Sequence, residues 1–169
     1  MERMENEKGF TLVEIMIVIV IISIGIGMAS YGINIVFGSR MDSYSSQFKS
    51  DLRYIRDQNM SIKDGNYRID INFTSNEITS YRTYHIAADS TIVQWNTIQL
   101  NNKITMSVVL EDGTTPPSDG TITIRFDSSS GEVSTGLNGY NGAGTYTFTS
   151  TATGETESVT LTRLTGRID

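Results

Sequence analysis

The chain has no cysteine among its 169 residues. Disulfide staples, thiolate metal sites and cysteine nucleophiles are therefore excluded. There is a single histidine, His85, and no Ser or Asp near it at a diagnostic spacing, so a nucleophile–base pair has nothing to build on. His85 reads instead as a surface residue at a strand end. Positive charge is also scarce: 13 Lys and Arg stand against 19 Asp and Glu, for a net charge of -6. Nucleic-acid binders usually present a basic field, and this balance runs the other way. The two prolines sit side by side at Pro116-Pro117, and the one tryptophan, Trp95, lies between Val93 and Ile98 as a core residue or an interface anchor.

What the chain does have is one long apolar run near its start. From Phe10 to Phe37 the only charged side chain is Glu14. As a helix that run is roughly 40 Å long, enough to cross a bilayer core of about 30 Å. A carboxylate inside it costs roughly 2.5–3.5 kcal/mol at the bilayer centre on insertion scales. An anchor alone gains nothing from Glu14; an anchor that must later meet a positive partner does. Residues Met1 to Gly9 form a short polar leader with Glu2, Arg3, Glu5, Glu7 and Lys8. An ordinary secretory signal cut near Gly27-Met28-Ala29 is one alternative, but the run exceeds the usual 7–15 apolar residues and contains an acid. A plain, unprocessed anchor is the other.

Gly25, Gly27 and Gly32, with Ser23 and Ser30, punctuate the second half of the run. Small residues there allow close helix approach in lipid or a local loosening of the helix. From Arg40 to about Lys63 the helix continues in amphipathic form. Met41, Tyr44, Phe48, Leu52, Ile55 and Met60 recur at mostly three- and four-residue spacing, which predicts a core-facing stripe. Asp64-Gly65 ends it as a turn.

Everything after Gly65 reads as β. Tyr67, Ile69, Ile71 and Phe73 alternate with Arg68, Asp70 and Asn72, with a hairpin partner from Ile78 to Tyr84 after Asn76-Glu77. Further strands are expected over Thr91–Leu100, Ile104–Leu110, Thr121–Phe126, Thr145–Ser150 and Ser158–Leu164, with turn chemistry between them. Short strands with frequent turns imply antiparallel sheet. The fold class is therefore α+β, a long N-terminal helix followed by an antiparallel β domain. Its parts are a leader (1–9), a membrane-spanning helix (10–37), to which the resemblance given below adds a role in assembly, an amphipathic continuation (38–64) and the β domain (65–169).

Other chemistry finds little support. The stretch from Gly136 to Gly144 has the glycines of a phosphate loop, but no helix follows it, so it reads as a surface loop. Asp112, Asp119 and Asp127 match no calcium-loop spacing and read as turn formers. Asn72-Phe73-Thr74 is a glycosylation sequon inside a strand. No metal, cofactor or enzymatic activity is expected.

Gly9-Phe10-Thr11-Leu12-Val13-Glu14, followed by the apolar helix, resembles the class III signal of type IV pilins and type II secretion pseudopilins. The resemblance implies cleavage by a prepilin peptidase between Gly9 and Phe10 and N-methylation of Phe10. It also implies pairing of Glu14 with the Phe10 amine of a neighbouring subunit during assembly. The disulfide loop of many pilins is impossible here. A helix followed only by strands resembles the minor pseudopilins of the H type and the related FimT-like minor pilins, in which the helix leads into two packed sheets. Three segments carry that likeness: Leu52 to Ile62, Arg125 to Gly131, and Val159 to Ile168. The implied partners are other pilin or pseudopilin subunits, the peptidase, an inner-membrane assembly platform and, before assembly, lipid. The implied location is the cytoplasmic membrane, single-pass with the C-terminal domain outside, and then a periplasmic or cell-surface filament. FimT-like relatives in DNA-uptake systems also bind DNA, for which Arg163 and Arg167 are the candidates; the acidic balance makes DNA an unfavoured partner.

Overall fold

The computed structural model describes residues 10–62, 66–136 and 139–169, with the main chain alone over 27–40 and at Gln94 and Trp95. The leader with Gly9, the Asp64-Gly65 turn and the Leu137-Asn138 pair lie outside the described residues. The chain divides into two compact units, Met1–Val36 and Phe37–Asp169. One helix, α1 (Leu12–Ile62), contributes to both.

In the second unit α1 is followed only by strands: β1 (Tyr67–Thr74), β2 (Glu77–Ile86), β3 (Ile92–Gln99), β4 (Ile104–Leu110), β5 (Gly120–Phe126), β6 (Val133–Ser134), β7 (Gly144–Ser150) and β8 (Thr156–Leu161). They form a five-stranded sheet in the order β3-β2-β1-β5-β6 and a three-stranded sheet in the order β4-β7-β8, antiparallel throughout. The expected α+β architecture is what the chain adopts.

Alternation sets the faces. Ile69, Ile71 and Phe73 of β1 are buried, while Arg68, Asp70 and Asn72 occupy the opposite face. The β1–β2 hairpin closes through Ser75 and Asn76, both in the left-handed region at φ 52° and 67°. Two consecutive positive φ values are what a two-residue hairpin turn with the sheet's own twist demands. Asp119 stiffens this turn by accepting the Ser75 N–H at 2.9 Å.

The helix stripe that faces the sheets is Met41, Ser45, Phe48, Leu52, Ile55 and Asn59, all buried, at spacings that alternate between four and three. Two of these differ from the apolar expectation. Tyr44 and Met60 are only half-buried, and Ser45 and Asn59 take the seam positions. Polarity is tolerated there because it is satisfied. Ser45 donates to the Asp42 carbonyl at 3.1 Å. Asn59 donates to the carbonyls of Tyr67 (2.9 Å) and Phe126 (3.3 Å) and accepts the Tyr67 N–H at 2.9 Å. One amide thus joins the end of the helix to β1 and β5.

Phe48 is the residue on which both sheets meet the helix. Its ring makes edge contacts with Tyr81 of the larger sheet (5.1 Å between centroids) and with Tyr146 (5.0 Å) and Phe148 (5.9 Å) of the smaller one. Tyr81 is fully buried and donates its hydroxyl to Asp51 Oδ2 at 2.9 Å; Gln47 donates to Asp51 Oδ1 at 2.8 Å. Burial raises the Asp51 carboxyl above its usual range, and the two hydrogen bonds offset this only in part. The sign follows from proton linkage. A raised folded-state pKa means that the folded chain holds this proton more tightly than the unfolded chain. Its contribution to stability is complete below the unfolded value of about 3.9 and is lost as pH rises through the folded pKa. Asp51→Asn should therefore lose less stability than the parent when both are denatured at a series of pH values from 4 to 7. A steeper loss in the variant would contradict this account.

Candidate functional site

The first unit begins with a reciprocal cap. Thr11 precedes the first residue of α1, and its hydroxyl accepts the Glu14 N–H at 3.2 Å. Glu14 Oε2 in return accepts the Thr11 N–H at 3.1 Å and the Thr11 hydroxyl at 3.2 Å. This is a capping box: two otherwise orphaned main-chain donors are satisfied by two side chains three residues apart. The positive end of the helix favours a carboxylate at the same place. The box thus holds the one acid of the apolar run at the helix start, next to Phe10. A Thr-x-x-Glu spacing is a legible signal for it, but from the sequence Glu14 reads as an intramembrane charge and, through the family resemblance, as the partner of a neighbour's Phe10 amine, and not as a cap.

Beyond the cap, the surface is apolar on every side. Every large apolar side chain from Phe10 to Ile26 is at least half exposed, from 52% at Ile15 and Val18 to 83% at Phe10. A helix that is apolar all round is built to be surrounded. Ser23 keeps its hydroxyl bonded to the Ile19 carbonyl at 2.7 Å, which leaves no free donor on that part of the surface. Among the described residues no helix is long and apolar enough to cross a membrane. The apolar part of α1 whose side chains are described, residues 12–26, is shorter than the roughly 20 residues a span needs.

In the second unit, the three segments singled out in the sequence converge. Arg56, near the helix end, donates Nε to the Gly131 carbonyl (3.4 Å) and Nη2 to the Thr165 carbonyl (3.2 Å); Arg53 donates Nη2 to the Ile168 carbonyl at 3.3 Å. Gly131 and Gly166 meet back to back. Both have left-handed φ values, and a Cβ on Gly166 would lie 1.9 Å from the Gly131 carbonyl oxygen. The tail then closes over β8: Thr160 and Asp169 exchange two main-chain hydrogen bonds at 3.2 and 3.0 Å, and Ile168 is buried. Helix end, β5–β6 turn and C terminus thus form one clasp.

The remaining candidates stay apart. His85, half-buried at the end of β2, stacks on Tyr67 with centroids 4.2 Å apart. Asp127 Oδ1 accepts from the hydroxyls and main-chain N–H groups of Ser129 and Ser130. Led by the Ser129 hydroxyl, these donors hold its carboxyl well below the usual range. Asp112 is lowered in the same way, chiefly by the Thr114 hydroxyl and N–H. Both are turn formers. Among the described residues no group of three His, Asp or Glu is placed to hold a metal ion. In the glycine-rich loop, Asn141 accepts the Ala143 N–H at 2.8 Å, and a Cβ on Gly142 would lie 2.7 Å from Ile124 Cγ1, so part of the loop is packed onto β5. Arg167 is paired with Asp169 at 2.8 Å, and the Arg163 N–H donates to Glu111 at 2.7 Å, so acids accompany both arginines.

A family model described as the prokaryotic N-terminal methylation motif matches residues 4–30. No curated protein matches the chain. Among solved structures, the chain is similar to the minor pseudopilin EpsH from the type 2 secretion system of Vibrio cholerae. The likeness covers 76% of this chain and 93% of that one, with 15% of residues identical and a TM-score of 0.50. At that identity the likeness is one of fold. Motif and fold together support the type IV pilin and pseudopilin family.

Proposed function

We propose that the chain is a minor subunit of a type II secretion pseudopilus or a related type IV filament. A prepilin peptidase cuts between Gly9 and Phe10, the new Phe10 amine is methylated, and the helix is drawn from the cytoplasmic membrane into a filament of like subunits. Before assembly the chain is single-pass, with its β domain outside. Residues 1–9 are the leader, 10–37 the assembly helix, 38–64 its amphipathic continuation and 65–169 the β domain. An inner-membrane platform receives the processed subunit.

The observation that carries this reading is the apolar surface from Phe10 to Ile26, exposed on every side of the helix, which directly follows the Gly9-Phe10 junction. A contiguous apolar surface of that extent is not tolerated in water and requires lipid or other apolar helices around it. The chemistry at its start supplies the direction of assembly. Cleavage would place a cationic amine at Phe10, one residue from the Thr11–Glu14 box. In a low-dielectric bundle an unpaired charge is costly, so the amine of one subunit and the Glu14 carboxylate of its neighbour gain from meeting.

The test is the N terminus of the mature protein, made with its peptidase and read by peptide mass spectrometry. The expected first residue is Phe10 carrying one methyl group, and Gly9→Leu should leave the leader attached and the gel mobility at the precursor position. A mature protein that starts elsewhere, or a Gly9→Leu chain processed like the parent, defeats the proposal.

A further inference from the structure

The two edges of the three-stranded sheet are treated differently. The outer edge of β8 is covered by the chain's own C terminus through the Thr160–Asp169 hydrogen bonds and the Leu161–Ile168 bridge. Among the described residues the outer edge of β4 has no such cover. Its register shows which groups are open. Glu111 N donates to Ala143 O and Lys103 O accepts from Thr151 N, in the same register that pairs Ile104 with Ser150. Residues 103, 105, 107, 109 and 111 therefore turn their main chain toward β7, and the even-numbered residues turn theirs away. At the two ends of this edge the Ile104 N–H donates to the Asn101 carbonyl and the Leu110 carbonyl accepts from the Gly113 N–H, but among the described residues no hydrogen bond outside the strand ladder engages the main chain of Met106 or Val108 between them.

Proteins usually blunt such an edge with a charge, a proline or a bulge. Ile104–Leu110 contains none of these, and its pairing with β7 runs without a register shift. The edge opens instead onto a trough. A cavity of about 710 Å³ and a second of about 210 Å³ adjoin along it, sharing Asn76, Ile78, Met106 and Ser107. The facing wall is the start of β2, where the β2–β3 ladder has ended at Ser80 and Gln99 and the chain beyond it continues alongside, Leu100 N donating to the Thr79 carbonyl at 3.2 Å. Pro116-Pro117 lines one end. Although the chain carries a net charge of -6, Glu77 is, among the described residues, the single ionisable one lining the trough.

We infer that this trough receives an extended, uncharged segment of a neighbouring filament subunit, which adds to β4 as a fourth strand. An open row of main-chain donors and acceptors is matched by another extended main chain. The near-neutral lining selects a segment without charge, and the Ile78 and Met106 side chains favour apolar residues at every second position of the guest. The inference rests on the filament reading proposed above.

The test uses the full-length chain in cells that assemble it, with a photo-crosslinking residue at Thr105. A crosslink to another chain whose N-terminal residue is N-methylated is expected. Val108→Pro removes an open-side N–H and none that faces β7, so it should lower the crosslink yield at least tenfold, whereas Val108→Thr should leave it unchanged. A Val108→Pro chain that is folded and crosslinks at the parent's yield overturns the inference, as does the absence of a crosslink or a partner without the methylated terminus. Should Val108→Pro fail to fold, amide exchange in the parent decides: Met106 and Val108 must exchange at least tenfold more slowly in the assembly than in detergent, and equal rates overturn the inference. Failure of the filament reading is seen separately, as absence of the parent chain from sheared filaments.

Discussion

Phe48→Ala is expected to destabilise the β domain by about 3–5 kcal/mol, the range for removing a buried aromatic ring. For a unit of this size that is a fall of roughly 10–20 °C in the unfolding midpoint. The ring is fully buried, and three aromatic neighbours from two different sheets face it at 5.0–5.9 Å. Truncation leaves a cavity that neither sheet can fill alone, because Tyr81 is held by Asp51 and Tyr146 by its hydroxyl bond to the Gly142 carbonyl at 2.6 Å. Those tethers prevent the collapse that makes some large-to-small substitutions mild. Edge contacts between aromatic rings add about 0.5–1.5 kcal/mol beyond area burial. The measurement is thermal unfolding of the full-length chain in detergent, followed by circular dichroism. A loss below about 1 kcal/mol would show that the helix does not hold the two sheets together through this ring.

How much of this was legible beforehand depends on the range of the interaction. Phe48, Leu52 and Ile55 were visible as a stripe, and β4 was expected over the span it occupies, because apolar periodicity is a local property of the chain. Ser45 and Asn59 were not, although they occupy the same stripe. An apolar template passes over polar residues, and what allows Asn59 to be buried is a set of main-chain groups on β1 and β5 that lie far along the sequence. The two-residue β6 offers no alternation to read. The clasp lies between these cases. Its three segments were picked out individually, but nothing local says that Arg56 reaches both Gly131 and Thr165. The Thr11–Glu14 box was legible in its spacing and was overshadowed by the apolar run around it.

That box sharpens the largest functional effect expected of a single substitution. Glu14→Ala should leave membrane insertion intact and reduce the chain in sheared filaments to a tenth or less of the parent level. Two distinct losses contribute. Half of the cap goes: the bonds from the Thr11 N–H and hydroxyl to the carboxylate are lost, while the Thr11 hydroxyl still accepts the main-chain N–H of residue 14, so the cost to the helix start is at most about 1 kcal/mol. The charge that would meet a neighbour's amine goes as well, and a buried charge stripped of its partner is destabilising by about 3–5 kcal/mol, a far larger quantity. Glu14→Gln separates the two. An amide at this position can still accept the Thr11 N–H that Glu14 Oε2 accepts at 3.1 Å, so the box survives while the charge does not. If charge pairing drives incorporation, Glu14→Gln must fail nearly as badly as Glu14→Ala. If Glu14→Gln enters filaments at the parent level, Glu14 serves only to cap the helix, and the pairing of acid and amine across subunits has to be given up. Quantitative immunoblots of membrane and sheared fractions, normalised to the parent, distinguish these outcomes.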